Sequence, residues 1–392
     1  MIPRRKFRKP PYQIPSMEFI RNVPWNNRKV VSTFSGGGGS STGYSWAGFK
    51  VVYANEFIKH ASDTYRLNHP DTHVDERDIK LVTAEEILAV TGLKKGELDI
   101  LDGSPPCQGF SIANQNRLTG KEHIYTNGIS QKNEDMFDEY IRLLGGLTPK
   151  VFIAENVKGL TMGKAKATLG SFEMDLFDNQ DETILHKLMN CGYVVRYQVL
   201  NAVNYGVPQD RKRAFFIGVR SDLKITPSFP DKLSYQYSVR DALPNIESVL
   251  ARQGGWKGWK DLDLDRASPT ITAKMGHKNP WKVQVGYGMG YAENKPGNSF
   301  PRNQIKSIDE PIKTIQKMPG IAGGVPVHVV GDEGKRKFTI DELKALGGFP
   351  ADFKMIGSYG NQWSIIGNSV CPPQMMRLSK HIYDTVFSVI KE

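Results

Sequence analysis

Three cysteines in 392 residues leave little for covalent cross-linking. Cys107, Cys191 and Cys371 are too few and too scattered for a disulfide framework or a metal cluster, so no metal site is expected. No stretch approaches the roughly 18 apolar residues of a membrane span. The basic N-terminus is followed by no apolar core, which excludes a secretory signal. These absences predict a soluble protein of the cytoplasm. Acidic residues are also the minority, 41 against 52 Lys and Arg, for a net charge of +11. The excess is uneven. Within residues 1–30, Arg4, Arg5, Lys6, Arg8, Lys9, Arg21, Arg28 and Lys29 stand against Glu18 alone, a net of +7. A basic arm over 1–28 is expected, either a solvated tail or a phosphate contact. The length allows two or three domains of roughly 150 residues each.

From Lys29 to Val219 strand-like and helix-like segments alternate, as a mainly parallel sheet flanked by helices requires. Strands are expected at Val30–Phe34, Val51–Ala54, Leu98–Leu101, Val151–Ala154, Tyr193–Leu200 and Ala214–Val219. A helix is expected from Met136 to Leu144. Thr83-Ala84-Glu85-Glu86 and Thr339-Ile340-Asp341-Glu342 read as capping boxes. Residues 221–330 are rich in Gly, Pro, Trp and Tyr without clean periodicity, which suggests a second, smaller domain. Four units are expected: the arm at 1–28, an α/β domain at 29–220, an irregular domain at 221–335, and a C-terminal segment at 336–392 that returns to the α/β domain and ends in a helix from about Pro373 to Val389.

The most informative run is Asp102-Gly103-Ser104-Pro105-Pro106-Cys107-Gln108-Gly109-Phe110-Ser111. Prolines stop the preceding strand, because proline cannot donate to the ladder and restricts the residue before it. Cys107 is thereby held on a stiff turn at the carboxyl end of a strand, the edge where open α/β sheets bind ligands. An isolated cysteine is more often buried and inert. Here rigid prolines and polar, Gly-rich chain make poor core, and a nucleophile is the better reading.

A second constellation is Phe34-Ser35-Gly36-Gly37-Gly38-Gly39, placed between a strand and a helix. Glu56 lies 20 residues past Gly36, where an acid can accept from ribose hydroxyls. A dehydrogenase would want a third glycine near Ser41, and none is there. Glu155 follows the strand Val151–Ala154, at the same edge as Cys107. Alternation along Gln209-Asp210-Arg211-Lys212-Arg213 sets Gln209, Arg211 and Arg213 on one side. Singly, each is more often a surface carboxylate or a solvated charge run. Together they put a thiol, a carboxylic acid and two cations at one sheet edge.

These blocks resemble the DNA cytosine-5 methyltransferases of the bacterial restriction–modification type, in that family's usual order. Phe34–Gly39 with Ala47-Gly48-Phe49 is similar to the cofactor loop, Asn55-Glu56 to the ribose-binding acid, and Asp78-Ile79 to the adenine-binding pair. Ser104–Ser111 resembles the nucleophile block, Glu155-Asn156-Val157 the N3-protonating block, and Asn204–Pro208 with Gln209, Arg211 and Arg213 the next. Leu346–Pro350 and Ile366–Pro373 resemble the closing blocks. The match runs from about 29 to 375, with 221–305 unmatched.

The resemblance implies a Rossmann-like, S-adenosylmethionine-dependent α/β sheet with a smaller, irregular target-recognition domain. It implies Cys107 as the thiolate that adds to cytosine C6, Glu155 as the group that protonates N3, Arg213 as the holder of O2, and Arg211 as its assistant. For S-adenosylmethionine it implies Phe34, Gly36, Gly38, Gly39, Glu56, Phe57, Asp78, Ile79, Pro106, Asn368, Ser369 and Val370. Gln108, Ser111 and Gln209 would contact DNA. Residues 108–132 would form a mobile loop that closes over a flipped-out base, with Ile112–Gln115 facing the vacated space. Double-stranded DNA is the implied partner, a cognate restriction endonuclease a second, and a monomer the implied state.

The chain departs from the family where Lys132-Asn133-Glu134-Asp135-Met136 replaces an arginine before an apolar residue; Met136 is a weak candidate for the cofactor pocket. The block after target recognition also has two candidates, Ser268–Thr272 and Pro311–Ile315; distance to the closing blocks favours the second. Two rivals share much of the pattern: a tRNA cytosine-5 methyltransferase of the same fold, and a catalytically silent DNA-binding scaffold.

Overall fold

The computed structural model describes residues 9–106, 134–157, 184–246 and 338–390, with short strands at 248–252, 259–261, 312–313, 327–331 and 334–336. Cys107, Gln108, Ser111 and the predicted loop 108–132 lie outside the described residues. The chain opens with α1 (Met17–Arg21). The alternation then runs β1 (Lys29–Thr33), α2 (Gly39–Trp46), β2 (Lys50–Asn55), α3 (Lys59–Asn68), β3 (His73–Asp75), α4 (Ala84–Thr91) and β4 (Ile100–Gly103). It continues through α5 (Glu134–Leu147), β5 (Val151–Val157), α6 (Ile184–Asn190), β6 (Tyr193–Asn201), β7 (Gln209–Asp210) and β8 (Lys212–Arg220). Seven of these strands form one sheet in the order β3-β2-β1-β4-β5-β8-β6, parallel except for β8, which runs against both neighbours.

Period-two alternation explains why the strands sit where they do. Val30, Ile100, Val151 and Ile153 face one side of the sheet, with Tyr44 of α2. Val31, Leu101, Phe152 and Ala154 face the other, with Ile87 of α4 and Tyr140 and Leu143 of α5. Both faces are covered, so these strands read as continuous apolar runs. Each such aliphatic or aromatic side chain contributes roughly 1.5–3 kcal/mol by leaving water.

The remainder comprises α7 (Val239–Ala242), β9 (Ser248–Arg252), β10 (Trp259–Asp261), β11 (Ile312–Lys313), β12 (Val327–Gly331), β13 (Gly334–Arg336), α8 (Ile340–Gly347), α9 (Tyr359–Asn368) and α10 (Pro372–Ile382). Strands β10-β9-β12-β13 make a separate antiparallel sheet. β11 pairs in parallel with β7, so the chain is back beside the first sheet by residue 312, ahead of the expected return at 336. α10 lays Met375, Leu378 and Ile382 on the Tyr44 side of the sheet, directly over α2. The approach is close enough that a Cβ on Gly43 would lie 2.6 Å from the Met375 Cβ.

Three expectations change. Residues 9–28 are no loose arm: Met17 and Ile20 are buried with Leu343, Leu346 and Phe349, and the Met17 amide donates to Asp352. Arg28 is buried, its guanidinium near Asp99 and over the Phe387 ring. Residues 221–246 belong with the catalytic body, because Val239, Leu243 and Ile246 share that same C-terminal core while Leu223, Ile225 and Phe229 pack under the sheet. Met136 is core, buried with Phe137 and Tyr140.

Candidate active site

The parallel strands deliver their carboxyl ends to one edge. β1 leads into the glycine loop, where Phe34 has a φ of 52° and Gly36 and Gly38 have φ of 56° and 96°. A bulky residue in the left-handed region costs about 1–2 kcal/mol, and such strain gathers at functional loops. β2 leads to Glu56, which ties the loop: its Oε2 accepts from the Gly36 amide and its Oε1 from the Ile58 amide, both at 2.8 Å. Phe57 beside it stays 53% exposed. Beyond β3, Asp78 caps the short turn Ile79–Leu81, accepting from the Lys80 amide at 3.0 Å. The Ile79 side chain is buried in the core, and its carbonyl accepts from the Val82 amide and the Arg142 guanidinium.

β4 ends at Gly103, where a Cβ would lie 2.6 Å from the Thr33 hydroxyl and from the Tyr140 ring. Ser104, Pro105 and exposed Pro106 then lead toward Cys107. The turn is anchored from β5: the Asn156 amide donates to the Pro105 carbonyl at 3.1 Å. Glu155 was expected just past the end of its strand. It lies within β5 instead, because β8 pairs with β5 as far as Val157 after β4 has stopped at Ala154. The strand itself therefore fixes the carboxylate's position.

Across the β5–β8 pair, Arg213 Nε lies 3.0 Å from Glu155 Oε1, with both side chains largely buried. Oε1 receives no hydrogen bond in this arrangement. Burial raises the Glu155 carboxyl above its ordinary range, and outweighs the Arg213 and Arg211 guanidiniums and a bond from Ser104 that act the other way. Burial, with Arg211 nearby, pushes the Arg213 guanidinium down to about 9, so it remains a cation at neutral pH. The result is a carboxyl held above its ordinary range next to a fixed positive charge.

The other two members of the predicted row turn toward protein. Alternation holds, with Gln209 and Arg211 buried while Lys212 is exposed. Gln209 is 1% exposed and donates to the Leu346 carbonyl, so its amide faces the C-terminal segment. Arg211 donates to the Gly367 and Asn368 carbonyls at 2.9 and 3.3 Å, at the C-terminal end of α9. A cation suits that end of a helix dipole. The closing block thereby meets the glycine loop: a Cβ on Gly39 would lie 2.8 Å from that of Ser369. Ser369 and Val370 are buried there and the Asn368 side chain is exposed. Among the described residues no acidic, cysteine and histidine cluster could hold a metal. No helix of the described residues is long and apolar enough to cross a membrane.

Sequence reasoning missed the roles of Asn156 and of Asp102, a buried acid two residues before the turn. Each lies inside a block already singled out, and only packing shows what it holds.

The model of the family "C-5 cytosine-specific DNA methylase" matches residues 28–384. The chain is 32% identical over 365 residues to the type II methyltransferase M.NgoPII of Neisseria gonorrhoeae, covering 88% of this chain and 92% of that one. It is 31% identical to the type II methyltransferase M1.HphI of Haemophilus parahaemolyticus, covering 87% and 83%. Among solved structures, a protein described as a DNA modification methyltransferase encoded within an E. coli prophage superposes with a TM-score of 0.60 at 23% identity, over 92% of this chain and all of that one. DNMT2 of Spodoptera frugiperda shares the fold at a TM-score of 0.56 and 17% identity, over 91% of this chain and all of that one.

Proposed function

The chain belongs to the C-5 cytosine-specific DNA methylase family, and from that premise we propose that it methylates C5 of a cytosine flipped out of a specific duplex DNA sequence, through a covalent bond between Cys107 and C6. The fold is the Rossmann-like one of S-adenosylmethionine-dependent methyltransferases, and the enzyme is a DNA methyltransferase. The observation that carries the fuller reading is the buried Glu155–Arg213 pair on β5 and β8, beside the strand end that leads to Cys107.

The residues at the edge fit S-adenosylmethionine. A Cβ on Gly36 would meet nothing within 4 Å, so open room lies over the loop. The exposed Phe57 ring supplies an adenine-sized apolar face, Glu56 a carboxylate for ribose hydroxyls, and Asp78 with the Ile79 backbone groups for adenine. Phe34, Gly38 and Gly39 shape the loop. Pro106 borders the space from the nucleophile side, and Asn368–Val370 from the closing block. When bound, S-adenosylmethionine supplies the methyl group on its sulfonium.

The base must leave the stack, at a cost of a few kcal/mol, before C6 can be attacked. Cys107 adds as thiolate to C6 while Glu155 gives its proton to N3, so the ring gains electrons without holding a full negative charge. Arg213 fixes the cytosine O2 and orients Glu155. Arg211 acts indirectly, clamping the closing block against the sheet. C5, now enamine-like, takes the methyl; H5 then leaves to solvent, N3 returns its proton to Glu155, and expulsion of the Cys107 thiolate restores the ring. Gln108 and Ser111 are proposed to meet the DNA. The type II methyltransferases among the relatives support a cognate endonuclease as functional partner, and one flipped base needs only a monomer. An elution volume matching a dimer would overturn the last point.

Transfer of tritiated methyl from S-adenosylmethionine to duplex DNA and to tRNA tests the substrate. DNA labelling without tRNA labelling is expected. Labelled tRNA alone would make this an RNA enzyme, and binding to DNA without transfer would make it a silent scaffold.

Two glycines give separable outcomes. At Gly38 an added Cβ would lie 2.7 Å from the buried His69 ring, at a φ of 96°. Gly38→Ala is therefore expected to lower thermal stability, by about 1–2 kcal/mol from backbone strain alone. Gly36→Ala has room around its Cβ and is expected to melt nearer wild type but bind S-adenosylmethionine at least several-fold more weakly. Calorimetry and thermal melts on both variants check this; equal affinity in Gly36→Ala and wild type would count against the cradle.

A further inference from the structure

Asp102 is a buried carboxyl that the mechanism leaves without a role. It lies on β4, 3% exposed, one residue before the strand ends. Its Oδ2 accepts from the Ser32 hydroxyl of β1 at 3.0 Å, and its Oδ1 from the Tyr44 hydroxyl of α2 at 3.1 Å. Its carbonyl accepts from the Thr33 hydroxyl at 3.1 Å. Ser32, Thr33 and Tyr44 are themselves fully buried. Among the described residues no Lys or Arg forms an ion pair with it. One side chain thus joins the strand that precedes the glycine loop, the helix that follows the loop, and the strand that leads to Cys107.

We infer that Asp102 is a positioning residue of the S-adenosylmethionine site, holding α2 and the glycine loop against the nucleophile strand through Tyr44 and Ser32. The inference rests on the methyltransferase reading above. The surroundings favour the neutral form. Burial pushes the Asp102 carboxyl up to about 7, against the two hydroxyl bonds, and Glu155 on β5 acts in the same direction. Tyr65 of α3, and Tyr140 of α5 on the opposite face of the sheet, also act on it electrostatically, and both are held neutral by their own burial. Ionisation puts a charge into dry core with neutral donors only. That state is relieved by water entering between α2 and β4, and such an opening loosens the loop at the start of α2. Cofactor binding requires the loop closed, so by linkage it favours the protonated acid and weakens as pH rises past neutrality.

The stability sign follows from the same facts. A carboxyl raised above its unfolded value costs stability increasingly from about pH 4, and the full cost is present above about pH 7. Asp102→Asn keeps the size and stays neutral at every pH.

The test uses the whole chain, with S-adenosylmethionine affinity measured by calorimetry at about pH 6 and about pH 9 and apo-protein melts across that range. Wild type is expected to lose about three- to tenfold in affinity over that interval, and Asp102→Asn less than twofold. Asp102→Asn should also gain melting temperature over wild type as pH rises. Tyr44→Phe, which removes one hydroxyl, is expected to bind several-fold more weakly at the lower pH with DNA affinity unchanged. A slope in Asp102→Asn equal to wild type would assign the pH dependence to Glu155 or another group and overturn the inference. If Asp102→Asn does not fold, wild-type affinity in Tyr44→Phe overturns it instead. Failure of wild type to bind S-adenosylmethionine at all would sink the methyltransferase reading first.

Discussion

Glu155→Gln is expected to slow methyl transfer by roughly 10²- to 10⁴-fold, about 3–5 kcal/mol of transition-state stabilisation. The amide matches the acid in shape and can still offer an N–H to N3, but it cannot give up a proton as C6 is attacked. The size of the effect follows from the setting. Glu155 is fixed in β5 by pairing with Phe215, and burial raises its carboxyl above its ordinary range. Arg213 at 3.0 Å keeps it oriented. The loss should therefore fall on kcat, with KM for DNA and for S-adenosylmethionine changed little. Single-turnover methyl transfer at saturating DNA, with a gel shift as the control for binding, separates the two. A variant within about threefold of wild-type kcat would remove Glu155 from the proton's path.

Cys107→Ser is expected to abolish turnover while DNA binding survives. A thiol with a free pKa near 8.5 is partly ionised near neutrality and is intrinsically nucleophilic. A serine hydroxyl at the same place is almost wholly protonated, and no base has been identified to activate it. Arg213 remains a cation on β8, beside the sheet edge to which the chain before Cys107 leads. Retained methylation in Cys107→Ser would take this residue out of the mechanism, whatever else the family resemblance suggests.

Much of this was legible because the chemistry is carried by short, contiguous blocks. The alternation from Lys29 to Arg220 gave the strand order's raw material, since Val30/Val31 and Ile100/Leu101 must point to opposite faces of a covered sheet. The capping boxes at Thr83 and Thr339 are local, and both are present with reciprocal bonds. What escaped depends on distant partners. Nothing in Gln209-Asp210-Arg211 says that Leu346 and Gly367 will come to meet it. Residues 221–246 lack periodicity because they run mostly as irregular chain around the short α7, and their apolar side chains are spent in two separate cores. The same holds for residues 9–28, whose charge suggested a tail while Met17 and Ile20 held it to α8. Asp102 reads as one more polar residue in a motif until Ser32 and Tyr44 are seen to converge on it.

Trapping on duplex DNA with 5-fluorocytosine in the target sequence tests the central claim most directly. Fluorine at C5 cannot leave as a proton, so a reaction that proceeds through a Cys107–C6 bond stalls there after methyl transfer. The predicted result is a DNA–protein adduct that survives denaturation, needs S-adenosylmethionine, maps to Cys107 by peptide sequencing, and is absent in Cys107→Ser. Full methylation of unmodified DNA with no adduct on the fluorinated duplex, or an adduct on any other residue, would contradict it.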